Sequence, residues 1–155
     1  GSEGDRSPVT RLDGPNLFTY DNRVYAVGRY QPVVQGPFVW QGSILARKRT
    51  ALFLVREDGL VHLSDLPSAG DTSYAGVVLR GPDLFVCYYT SAIDRDYPWV
   101  LGMVSPSPIR MARIDLGRLE AVALAAEAAL GPLRRGKGPR RPRQPRPPGL
   151  VPPNP

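Results

Sequence analysis

Short runs of alternating apolar and polar residues fill the chain from Leu17 to Leu116, with turn residues between them. Leu17-Phe18-Thr19-Tyr20 leads into Asp21-Asn22, a turn pair, and Arg23-Val24-Tyr25-Ala26-Val27-Gly28-Arg29 then alternates with β-branched and aromatic residues. These two runs predict a hairpin. Arg49 to Arg56 and Leu60 to Leu63 flank Glu57-Asp58-Gly59, whose Asp-Gly step is the strongest hairpin signal in the sequence. Tyr30 to Lys48, punctuated by Pro32, Gly36, Pro37 and Gly42, reads as a long loop of the kind that often carries function. Its Phe38, Val39 and Trp40 either cover a ligand cleft or pack over a sheet edge. Four strands in about 45 residues match the spacing of one β-propeller blade.

The pattern then starts again. Thr72 to Leu79 and Leu84 to Thr90 read as strands about the turn Gly81-Pro82-Asp83. A proline-containing loop from Ser91 to Pro108 holds Trp99, and Ile109 to Leu116 is a last strand. Gly117 to Leu130 is the only helical stretch, rich in Ala and Leu and stopped by Gly131-Pro132. Leu119, Val122, Ala126 and Leu130 fall on one expected face, with Glu120 and Glu127 outward. The fold class is therefore all-β, about two antiparallel propeller blades followed by one short α-helix and a disordered tail. The divisions are a leader at 1–16, a blade at 17–66, a second blade at 67–116, the C-terminal helix at 117–131 and the tail at 132–155. Two blades do not close a ring and would leave strand edges unpaired, so the remaining blades are expected outside this chain.

Charge changes the picture of partners. Pro132 to Pro155 holds nine prolines, seven Arg or Lys and no acid, so it carries +7 against +6 for the whole chain. The body is nearly neutral, and the basic balance belongs to a solvated Pro/Arg arm rather than to a folded face. Nucleic acid is a partner only through that arm, by counterion release. A single cysteine, Cys87, excludes an internal disulfide and any multi-thiolate metal site, and it reads as a buried small hydrophobe. A single histidine, His62, at an outward polar position of a strand, excludes multi-histidine zinc sites. No metal and no cofactor is expected. No apolar stretch of membrane-spanning length occurs, so no membrane partner is expected.

Candidate chemistry concentrates in Leu66-Pro67-Ser68-Ala69-Gly70-Asp71-Thr72-Ser73-Tyr74-Ala75-Gly76, where small and polar residues run directly into a strand. If that strand is innermost in its blade, Asp71, Thr72 and Tyr74 line the axis. Otherwise Asp71 and Thr72 cap a turn through side chain to backbone bonds, and Tyr74 is an ordinary half-buried aromatic.

The run Pro67 to Gly76, then Leu84-Phe85-Val86-Cys87-Tyr88-Tyr89-Thr90-Ser91, then Ile109-Arg110-Met111-Ala112-Arg113-Ile114, resembles the C-terminal blades of sialidase-like propellers. Val24 to Arg29 and Arg49-Thr50-Ala51-Leu52 fit the preceding blade, so the resemblance covers residues 16–116. No Asp-box repeat (Ser-x-Asp-x-Gly-x-Thr-Trp) is present. The resemblance implies a glycoside hydrolase in which arginines hold a substrate carboxylate and a tyrosine attacks the anomeric carbon, outside the two-carboxylate scheme. Tyr74 matches the nucleophile, which needs a neighbouring base. Arg29 and Arg49 match carboxylate-binding arginines, with Asp71 and Thr72 beside them on the substrate side. The acid/base aspartate, the glutamate partner and the first arginine have no counterpart here. The expected function is a C-terminal segment of a sialidase-like hydrolase, inactive alone, with carbohydrate and the remaining blades as partners. The alternative is a non-catalytic propeller module that binds glycan or protein.

Overall fold

The computed structural model describes residues 11–33 and 36–131, so most of the leader and the tail expected at 132–155 lie outside the described residues. Strands β1 (Asp13–Tyr20), β2 (Arg23–Tyr30), β3 (Arg49–Arg56) and β4 (Gly59–Asp65) pair in chain order as one antiparallel sheet. Strands β5 (Thr72–Arg80), β6 (Asp83–Thr90) and β7 (Ile109–Asp115) form a second antiparallel sheet, again in chain order. The protein is mostly β. The turn chemistry accounts for the register: Asp21 and Asn22 both take left-handed backbone, φ 46° and 57°, as a two-residue hairpin of matching twist requires. Gly81, φ 57°, opens the β5–β6 turn.

Three boundaries differ from the sequence expectation. β1 begins at Asp13, inside the stretch read as leader, because Gly14 at φ 54° and a register shift between Asp13 and Asn16 interrupt its alternation. The loop after β6 contains one helical turn, α1 (Trp99–Gly102), which four residues behind Pro98 do not advertise in sequence. The C-terminal helix α2 spans Leu116–Leu130, starting one residue earlier than expected, because the Asp115 carboxylate caps it by accepting from the Arg118 amide at 2.8 Å.

The inward face of α2 is Leu116, Leu119 and Ala123, not the expected Leu119, Val122, Ala126 and Leu130. Val122 is exposed, and Glu127 turns toward β2 to meet Arg23 at 3.2 Å. That face packs with Phe18, Tyr25, Val27, Leu52 and Leu54 from the first sheet and Leu84, Val86 and Tyr88 from the second. One apolar core thus lies between the sheets, and burying it away from water is the main stabilising term. A smaller cluster, Ala26, Tyr30, Ala51 and Phe53, covers the far face of the first sheet.

The chain-order antiparallel pairing sends all three hairpin turns to one end of the molecule. Helix α2 closes that end: the Leu116 amide donates to the Pro82 carbonyl at 2.9 Å. The C-termini of β2, β4 and β6 and the N-termini of β3, β5 and β7 lie at the opposite end, with β5 packed beside β1 and β2. Long loops collect there, and so do the candidate residues.

Candidate functional site

The centre of the loop end is Asp71, the last residue before β5. Its Oδ1 accepts from the Trp99 indole Nε1–H at 2.8 Å, from the Tyr89 hydroxyl at 3.3 Å and from Arg29 Nη1 at 3.3 Å. Three donors from β2, β6 and α1 therefore meet on one oxygen, while Oδ2 accepts no bond among the described residues. The backbone around Asp71 is fixed as firmly. Its amide donates to Ser91 Oγ at 3.1 Å and its carbonyl accepts from the Ser91 amide at 3.0 Å. Gly102 lies against the Gly70–Asp71 peptide, where any Cβ would strike the Asp71 amide, so α1 can approach only as glycine.

Two loops hold Trp99 in place. The Trp99 amide donates to the Ala46 carbonyl at 3.0 Å and the Val100 amide to the Ile44 carbonyl at 2.9 Å, which joins the β6–β7 loop to the β2–β3 loop. The indole then lies under two cations, with Arg29 Cζ at 4.7 Å and Lys48 Nζ at 5.4 Å from the ring centre. Lys48 is buried and donates to Gln31 Oε1 at 2.7 Å. Burial, opposed by the nearby Asp13 carboxylate, pulls its ammonium below the ordinary lysine range. Gln31 is itself anchored, donating through Nε2 to the carbonyls of Val33 and Trp40 at 2.7 and 2.9 Å.

Arg29 is enclosed on both sides. Nη1 faces Asp71 and Nη2 faces Asp13 Oδ2 at 3.5 Å, while Asp13 Oδ1 accepts from Arg11 Nε at 2.6 Å. Its Nε is buried and has no hydrogen-bond partner. Tyr74 sits at the bulge between Ser73 and Gly76 with φ 51°, a left-handed conformation unusual for an aromatic residue and frequent at functional sites. Its ring is 77% exposed and stacks on Tyr89 with centroids 6.0 Å apart. Burial and the Asp71 carboxylate together push the Tyr89 hydroxyl up to about 12, so it remains a donor at neutral pH.

The structure thus brings Arg29, Asp71 and Tyr74 to one end, linked through Tyr89. Arg49 and Thr72 are placed otherwise. Arg49 meets Asp96: Nη2 donates to Oδ2 at 2.9 Å, and Nη1, 2.7 Å from Oδ1 as an ion pair, directs its hydrogen to the Lys48 carbonyl. Thr72 is fully buried, bonded to Thr50 Oγ1 at 2.7 Å and donating to the Tyr89 carbonyl at 2.8 Å. Phe38 and Trp40 are exposed. Cys87 is half-buried on the outer face of the second sheet, not in the core, because odd-numbered residues of β6 point away from the first sheet. His62 is half-buried, with Nε2 2.7 Å from Asp65 Oδ1, which also accepts from Tyr30 at 2.8 Å.

Asp13, Lys48, Tyr89 and Trp99 are the site residues that sequence reasoning missed. The only signal for Trp99 was a lone indole in a Pro-rich loop, and nothing along the chain pairs it with Asp71. Among the described residues no group of three or more His, Cys, Asp or Glu is placed to hold a metal ion, and no helix is long and apolar enough to cross a membrane. No protein-family model, curated protein or solved structure matches the chain.

Proposed function

We propose that the two sheets are consecutive blades of a sialidase-like propeller, and that their loop end contacts glycan without hydrolysing it unaided. The observation that carries this reading is the convergence of Arg29, Tyr89 and Trp99 on Asp71 Oδ1 beside an outward-held Tyr74. An exposed aromatic face beside a fixed carboxylate suits a saccharide: the ring stacks on C–H groups and the free oxygen accepts from hydroxyls. The side-by-side placement of β1, β2 and β5 is what a radial array asks of neighbouring blades. Further blades complete such a ring.

Against unaided catalysis stands the surroundings of Tyr74. A tyrosine hydroxyl is a poor nucleophile until a base takes its proton. Among the described residues none accepts the Tyr74 hydroxyl proton. The second reading, a hydrolase, requires that base from another blade.

Two assays test the proposal. On a saccharide array the protein is expected to bind, and Tyr74→Ala to lose the signal; an array blank for the wild type sinks the reading. A fluorogenic sialoside is expected to stay intact, and turnover abolished by Tyr74→Phe would replace the binding module with an enzyme.

A further inference from the structure

Which sugars the site takes follows from the engagement of Arg29, given the glycan reading above on which this step rests. We propose that the site is built for an uncharged sugar, and that Asp13 is the specificity-determining residue that withholds Arg29 from an anionic one.

An arginine recognises a carboxylate by offering two parallel N–H groups to its two oxygens. Each Nη of Arg29 keeps a second N–H, but the guanidinium that carries them is already engaged by two carboxylates and enclosed. Nη1 is taken by Asp71 and Nη2 by Asp13, while Nε is buried from solvent and the guanidinium face rests on Trp99. Only 13% of the side chain is exposed. Arg49 is held in the same manner by Asp96. Lys48, the remaining cation over Trp99, is buried with Nζ on Gln31.

Apart from Arg11, 56% exposed but paired to Asp13, what reaches solvent is of the opposite kind. Tyr74 offers an apolar ring, and the Asp71 side chain, 20% exposed, offers Oδ2 as an acceptor oriented by the donors on Oδ1. A sugar hydroxyl donates to that oxygen, whereas a sugar carboxylate meets like charge, which costs affinity and serves as discrimination. Asp13 is the hinge of this arrangement because it bridges Arg29 and Arg11, which holds the Arg29 fork shut from the β1 side. Removing its charge releases Nη2.

The test compares matched probes, methyl galactoside and methyl galacturonoside, which differ only in the carboxylate at C6, by titration of the full chain. The wild type is expected to bind the neutral sugar at least about tenfold more tightly. Asp13→Asn is expected to narrow that gap by about tenfold, through improved binding of the acid. Equal or tighter binding of the galacturonoside by the wild type overturns the specificity inference while leaving the glycan reading standing. Binding of neither probe, together with a blank saccharide array, overturns both. The wild-type comparison needs no variant, so poor folding of Asp13→Asn does not blunt the test.

Discussion

The sheet of β1 to β4 buries apolar residues on both faces, and the sheet of β5 to β7 mainly on one. In the first, Leu52 and Leu54 point into the core shared with α2, while Ala51 and Phe53, the intervening residues of β3, are buried on the far side with Tyr30. In the second, Leu84, Val86 and Tyr88 point inward, but the alternate positions of all three strands open outward. There Val78, Met111 and Ile109 are 61%, 70% and 75% exposed, beside half-buried Phe85 and Cys87. An antiparallel sheet with one solvated face ordinarily turns polar residues outward. The outward face of the second sheet does so only at its hairpin end, where Arg113 pairs with Asp83 at 2.8 Å, and the exposed apolar residues toward the loop end suit contact with another surface. This asymmetry is what a further blade against the second sheet would account for under the proposed function.

The contrast predicts unequal responses to mutation. Phe53→Ala, on the covered far face of the first sheet, is expected to cost about 3–5 kcal/mol in urea unfolding, through lost burial and the cavity left behind. A cost below about 1 kcal/mol would mean that this face is not packed as described. Thr72→Val is expected to cost less, about 1–3 kcal/mol, because Thr50 Oγ1 and the Tyr89 carbonyl lose a partner inside the structure.

A third effect is read from pH. The Tyr89 hydroxyl has a folded-state pKa raised to about 12 above the ordinary value near 10. Its contribution to stability is therefore fully present below about pH 10 and is lost as pH rises toward about 12. Burial makes Tyr25, Tyr30 and Tyr88 late-ionising as well, so the Tyr89 part of the tyrosinate absorbance is taken as the difference from Tyr89→Phe. Its midpoint is expected to fall in Asp71→Asn, and an unmoved midpoint would separate Tyr89 from Asp71. The smallest effects belong to two quiet positions. Met111→Lys on the open face is expected to stay within about 0.5 kcal/mol. Tyr25→Phe is expected to be neutral or stabilising, because the Tyr25 hydroxyl is buried without a partner.

Much of this architecture is legible along the chain. Asp21-Asn22, Asp58-Gly59 and Gly81-Pro82 sit at the turns that the alternation demands, since their backbone freedom is a local property. The strands from β2 to β7 begin and end within two residues of the alternating runs, for the same reason. The first residues of β1 escape because Gly14 and the bulge break the period of two, and α1 escapes because one turn has no period at all. Within the site, Asp71 and Tyr74 declare themselves by their place in a run of small residues. Asp13, Tyr89 and Trp99 do not, because their meeting with Arg29 and Asp71 is created by pairing between strands and loops far apart in sequence. The engagement of Arg29 is equally invisible: a lone arginine at a strand end looks the same whether its fork is open or held by Asp13.

The most direct test of the Asp71-centred site uses the indole N–H that Trp99 donates to that carboxylate. The chain has two tryptophans, Trp40 and Trp99, so an amide-correlation spectrum carries two indole signals, separable by Trp40→Phe. Titration with methyl galactoside is predicted to move the Trp99 signal in the wild type and to leave it in place in Tyr74→Ala. A Trp99 signal that ignores the sugar, or that moves equally without the Tyr74 ring, would contradict the account.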